Sequence, residues 1–268
     1  MAIRSLKESL QAAGAAFQLL TRIPIPVQIP FTREVLARSV LFYPLVGLIV
    51  GLITALAGWL LAYVLPAWPA AVLTLLVWIA LTGALHLDGL MDTADGVLSH
   101  RSREKMLEIM KDSRVGAMGV IAAILLLLLK ASLIAQWLGE SDLRPLLPHL
   151  VTACMWGRLW MVGAMLLWPN ARGNEGLGGM FAGLPKRQLA YAGLLHVVLA
   201  GGVYAVSGTS WQHGALYLLT GAVITAFVGG GVAMWLNAKL GGLTGDTYGT
   251  MNEIVETVLL LAAVAIFL

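Results

Sequence analysis

Three aspartates, Asp88, Asp92 and Asp95, recur at spacings of four and three residues within His86-Leu87-Asp88-Gly89-Leu90-Met91-Asp92-Thr93-Ala94-Asp95-Gly96. On a helix these positions share one face. Like charges held so close repel one another, and a helix C-terminus disfavours anions further, so something positive is expected among them. Hard carboxylate oxygens with no thiolate nearby favour magnesium, manganese or calcium over zinc. Magnesium (Mg2+) fits best, because it commonly bridges protein carboxylates to substrate phosphates. The alternative is a solvated acidic helix end balanced by Arg101, Arg103 and Lys105.

A second polar island runs from Gly241 through Thr244, Asp246, Tyr248, Thr250 and Asn252 to Glu253 and Glu256. Its glycines allow close backbone approach to a phosphate or ribose, and Thr250 suits a helix cap. Acidic residues in a first helical turn are also ordinary helix-start chemistry, so catalysis and capping stay open for Asp246 and Glu253. A third element, Lys111-Asp112-Ser113-Arg114-Val115-Gly116-Ala117-Met118-Gly119, pairs Arg114 with a helix N-terminus, a combination that holds anionic phosphate. Arg158 lies inside an apolar run and reads as a phosphate clamp or a snorkelling anchor. Lys130 lies deeper and reads as structural. The loop from Asn170 to Gly179 sets Arg172 among glycines, as a flap over a bulky polar substrate would. His86 points away from the three-aspartate face and reads as packed or interface-anchoring.

The elements that must position these residues are membrane helices. Of 268 residues, 59% are hydrophobic and only 12% charged, against roughly a quarter charged in an ordinary soluble domain. Seven spans are expected at about 39–65, 69–87, 115–138, 146–168, 188–206, 212–237 and 250–268, the last of them marginal. Before them, Leu6, Leu10, Ala13, Phe17 and Leu20 mark an amphipathic helix lying along the interface, ended by prolines 24, 26 and 30. Arg103 to Met110 reads as a short surface helix that turns Met106, Leu107 and Met110 to the interface. Tryptophans 59, 68, 137, 168 and 211 read as an aromatic belt. The fold class is therefore all-α, a polytopic bundle forming one membrane domain over 1–268, with residues 1–30 as interfacial helix and Pro-rich turn.

Charge orients that bundle. With the N-terminus inside, every lysine and arginine except Lys130, Arg144 and Arg158 falls in a cytoplasmic segment, and both acidic islands share that side. The net charge of +3 and pI near 9.1 then reflect loops facing anionic lipid, not nucleic acid. The single cysteine, Cys154, excludes an intramolecular disulfide. No cleavable leader is apparent. Gly47 and Gly51, and the run Gly229 to Gly231, permit close helix contact within a chain or in a homo-oligomer.

In their order along the chain, Phe17 to Pro26 (FQLLTRIPIP), His86 to Gly96 (HLDGLMDTADG), Lys111 to Gly119 (KDSRVGAMG), the Arg172 to Gly179 loop and Gly241 to Glu256 (GGLTGDTYGTMNEIVE) resemble the cobalamin synthases, or adenosylcobinamide-GDP ribazoletransferases, of the bacterial inner membrane. That resemblance implies a magnesium-dependent enzyme that joins adenosylcobinamide-GDP to α-ribazole or its 5′-phosphate and releases GMP. It puts Asp88, Asp92 and Asp95 on magnesium, and Asp246 and Glu253 as further ligands. Asp246, Glu253 and Asp95 are the candidate catalytic acids, and Arg114, Arg158, Arg172 and Lys111 hold substrate phosphates. A CDP-alcohol phosphotransferase also begins its motif with an Asp-Gly pair, but it continues with an arginine where this chain has Thr93. An ion-coupled transporter would place its acids near mid-membrane rather than at one face.

Overall fold

The computed structural model describes residues 2–140, 147–173, 175–181 and 183–267, and among them every regular element is helical. Helix α1 (Ala2–Leu20) is followed by α2 (Arg33–Ser39), which continues through a tight 3-10 turn into α3 (Tyr43–Ala62). Then come α4 (Ala67–Thr82), α5 (Leu85–Val97), α6 (Arg103–Ile109), α7 (Ala117–Leu138), α8 (Leu147–Leu167), α9 (Gly176–Gly179), α10 (Arg187–Val206), α11 (Trp211–Leu240) and α12 (Gly245–Phe267). Six helical stretches are long and apolar enough to cross a bilayer, and α4 with α5 supplies a seventh if that bent pair counts as one. The last span is not marginal: Gly245–Ile266 passes the same test. Arg144, Asn174 and Leu268 lie outside the described residues.

The second span departs from expectation. It does not run on into the aspartate cluster, because Gly83 (φ 61°) and Ala84 (φ 59°) both take the left-handed conformation and α5 leaves α4 at 89°. Gly83 closes α4 as a left-handed cap at no steric cost, whereas Ala84 stores about 1–2 kcal/mol of strain. The Pro-rich turn braces this bend. Arg22 N–H donates to the Leu81 carbonyl at 2.7 Å, and the Arg22 side chain lies across Gly83 where a Cβ would stand. Asp88 consequently occupies the first turn of a new helix, where the macrodipole attracts an anion instead of repelling it.

Helix α8 runs through the middle of the bundle, with Leu150, Cys154, Met155 and Val162 fully enclosed. α3 crosses it closely. A Cβ on Gly47 would come within 2.6 Å of the Met155 Cα, and one on Gly51 within 2.7 Å of the Val151 Cα, so this glycine pair serves a contact inside the chain. α1 buries Ala12, Ala15 and Ala16 against the bundle and leaves Leu6 and Leu10 outward, as an interfacial helix should. Met106 and Met110 of the α6 segment differ from expectation: both are buried, and Met110 packs against Gly96 of α5 rather than lipid. Trp59, Trp68 and Trp211 are exposed, while Trp137 belongs to the core.

Gly47→Leu should cost roughly 1–3 kcal/mol through overpacking at the α3–α8 crossing. Thermal denaturation in detergent checks this, with Gly193→Leu, whose position meets no neighbour within 4 Å, as the neutral control.

Candidate active site

The two acidic islands meet because α5 lies directly on α12. Gly89 makes this possible: a Cβ there would stand 2.6 Å from the Asp246 carbonyl oxygen, and a Cβ on Gly249 would stand 3.0 Å from the His86 Cα. The Thr250 hydroxyl is 3.0 Å from both the Gly89 and Asp246 carbonyl oxygens and donates across the crossing. Close packing thus carries Asp88 and Asp92 to Asp246, residues more than 150 positions apart in sequence. The charges acting on Asp92 are those of Asp88, Asp246, Asp95 and Arg172, three carboxylates and one guanidinium.

Arg172 reaches this cluster through the glycine-rich loop. Ala171 N–H donates to the Leu243 carbonyl and Leu243 N–H to the Pro169 carbonyl, both at 2.8 Å, which docks the loop on the turn before α12. Gly242 (φ 151°) is needed there, since a Cβ would meet the Ala171 nitrogen at 2.6 Å. Asn170 Oδ1 then accepts from Arg172 N–H at 2.8 Å, and Arg172 Nη2 donates to Asp246 Oδ2 at 3.1 Å. A cavity of about 170 Å³ opens at this point. Its polar wall holds His86, Asp88, Asn170, Arg172, Glu175 and Asp246, and its apolar wall comes from α1, α3, α8 and Tyr248.

Other expected site residues are engaged elsewhere. Asp95 faces α7: its Oδ2 accepts from Gly116 N–H at 2.7 Å and its Oδ1 from Gly119 N–H at 2.8 Å. Both glycines are required, because a Cβ on either would strike the carboxylate. The α7 N-terminus, expected to receive a substrate phosphate, already holds an anion from the protein itself. Arg114 is exposed and pairs with Asp112, Nη2 to Oδ2 at 2.6 Å, which holds the Asp112 carboxyl down to about 2. Lys111 stays near the cavity rim, 3.3 Å from Glu175.

Glu253 and Arg158 sit within the bundle instead. Seven residues separate Asp246 from Glu253, about 10 Å along the helix axis. At that depth Lys130 Nζ donates to Glu253 Oε2 at 2.6 Å and to Glu256 Oε2 at 2.9 Å, while Arg158 Nη1 donates to Glu256 Oε1. Lys130 also lies 4.3 Å from the centre of the Trp78 ring. Two cations and two carboxylates thus cancel, as charges removed from water must, and they pin α4, α7, α8 and α12 together.

Asp88, Asp92 and Asp246 offer hard oxygen donors of the kind a magnesium ion takes. Among the described residues no group of three or more His, Cys, Asp or Glu side chains is arranged to hold a metal ion. Magnesium is typically held by one or two carboxylates, with water and substrate phosphate completing its octahedron, so the residues that could hold it are drawn from Asp88, Asp92 and Asp246. His86 is packed as expected, but on α5 rather than at the end of α4. The bend turns this residue onto the cavity wall, and the paired left-handed residues before it carried no clear sequence signal.

A polytopic helical bundle with a carboxylate-lined, arginine-flanked cavity at one end defines a class of membrane protein suited to handling phosphate esters. Within that class the chain belongs to the cobalamin-5-phosphate synthase family, whose pattern matches residues 12–264. It is 42% identical over 243 residues to a relative from Desulforamulus reducens, covering 90% of this chain and 91% of the relative. It is 40% identical over 261 residues to one from Desulfitobacterium hafniense, covering 95% and 97%, and 38% identical over 263 residues to one from Brevibacillus brevis, covering 93% and 96%. All three relatives are named adenosylcobinamide-GDP ribazoletransferase. No solved structure matches.

The division between cavity and scaffold predicts opposite stability effects. Asp95→Asn removes a charged cap from α7 and should cost roughly 1 kcal/mol or more. Asp92→Asn relieves repulsion and should leave thermal stability unchanged or raise it. Melting curves of the two purified variants, recorded without magnesium, check the contrast.

Proposed function

We propose that this chain is an adenosylcobinamide-GDP ribazoletransferase that uses magnesium at Asp88, Asp92 and Asp246. The observation that carries this reading is the meeting of Asp88, Asp246 and Arg172 at one cavity, with Asp92 beside them, in a member of this family. A ribose hydroxyl of α-ribazole, or of its 5′-phosphate, attacks the corrinoid-side phosphorus of the diphosphate. The new P–O bond forms as the bond to GMP breaks, and GMP leaves with the bridging oxygen. When bound, magnesium supplies positive charge against the diphosphate oxygens. Arg172 binds the guanosine-side phosphate bidentately, which draws it away from Asp246. The Asp246 oxygen that Arg172 releases then accepts the hydroxyl proton, the other oxygen being the one that would face the cation.

The cavity faces the cytoplasm of a bacterial inner membrane, because the basic residues of α1, α2, α6 and the loop of Arg172 lie on that side. Family membership disfavours the CDP-alcohol phosphotransferase and transporter alternatives. Asp95 and Glu253 serve this site as positioning residues: the first anchors α7, and the second fixes α12 along its axis.

GMP release from adenosylcobinamide-GDP should require both magnesium and α-ribazole or its phosphate. Asp88→Asn and Asp92→Asn should each lower kcat at least about 100-fold with membrane insertion intact, and Arg172→Ala should raise KM for the GDP-bearing substrate. No GMP release with any corrinoid substrate contradicts the assignment.

A further inference from the structure

Half of the cavity wall has no part in the phosphate chemistry. Leu20, Tyr43, Met161, Met165, Phe181 and Tyr248 close its inner side with an apolar, partly aromatic surface. His86 shares this cavity, is only 1% exposed, and has no hydrogen-bond partner on either ring nitrogen among the described residues. A buried imidazole left this way forfeits roughly 1–3 kcal/mol, so a ligand or water must satisfy it in use. Its position is held firmly by the strained Ala84 two residues earlier and by the contact of Gly249 on its Cα. Strain of this kind persists where surrounding structure enforces it, and it clusters at ligand sites.

Size decides which substrate part belongs here. About 170 Å³ accommodates one small fused ring system and falls below the roughly 300–1,000 Å³ of pockets for drug-sized molecules. A corrin macrocycle with its amide arms is far too large. Guanine carries several polar edges, and an apolar wall with a single imidazole would leave most of them unpaired. The benzimidazole of α-ribazole is flat, apolar and bicyclic, and its one free ring nitrogen is a hydrogen-bond acceptor. We infer that this inner half of the cavity seats the acceptor's aromatic base, with a His86 ring N–H donating to the free ring nitrogen. The corrinoid stays at the mouth, beyond Asp88 and Arg172. His86 is on this account a substrate-binding residue that sets base specificity, and the inference rests on the ribazoletransferase reading above.

The test compares α-ribazole with the same nucleoside carrying indole, in which a carbon replaces the free ring nitrogen. Wild-type protein in proteoliposomes should show an acceptor KM about tenfold higher for the indole nucleoside, with KM for adenosylcobinamide-GDP unchanged. His86→Leu should raise the α-ribazole KM by a similar factor and lose the distinction between the two bases, while His86→Gln recovers part of it. A merely structural histidine would shift kcat and both KM values together. Equal wild-type KM values for the two nucleosides overturn the inference without any variant, as does a Leu variant that still separates them. Absence of GMP release by the wild type overturns the reading beneath it.

Discussion

The contact of Gly89 with the Asp246 carbonyl is the constraint on which the rest of the site depends. Backbone approach this close is open only to glycine, and it brings the acids of α5 to the first turn of α12 without any side chain between them. Thr250 spans the crossing, and Gly249 lets His86 settle on the same helix. The glycine-rich loop adds Arg172 by bonding its backbone to residue 243 beside that same turn. Any larger residue at position 89 would part the two islands and leave each as an ordinary acidic helix end.

Charge in this bundle has two separate tasks. Asp88, Asp246 and Arg172 line the cavity with Asp92 beside them, and three carboxylates against one guanidinium remain unbalanced, which suits a cation and a phosphate. Lys130, Glu253, Glu256 and Arg158 are sequestered and mutually neutral. That second group still bears on the first, because fixing Glu253 and Glu256 against α7 and α8 fixes where along its axis α12 presents Asp246. Asp95 connects the two tasks. It belongs to the acidic motif, yet both of its oxygens serve to anchor α7.

Apolar length made the spans legible in the sequence, and the spacing of Asp88 and Asp92 made one side of the site legible. The 89° bend was not, because an alanine adopting positive φ has no compositional signature and the apolar run continues through it. That single bend explains why the dipole at Asp88 carried the wrong sign, while His86 is packed as its place off the three-aspartate face implied. The pairing of Lys130 with Glu253 links residues 123 apart, and helical spacing reports only neighbours within a few turns. Helical spacing therefore could not pair Glu253 or Arg158 with their partners on other helices. Gly116 and Gly119 were visible as a motif, but their purpose depended on a carboxylate from another helix.

Manganese in place of magnesium offers the most direct view of the central claim, that the α5–α12 crossing merges two acidic islands into one cation site. Anomalous diffraction from crystals grown with manganese and a non-reacting GDP-bearing corrinoid should show its peak bounded by Asp88, Asp92 and Asp246. A peak at Asp95 or Glu253, or two separate peaks on the two islands, would contradict the account.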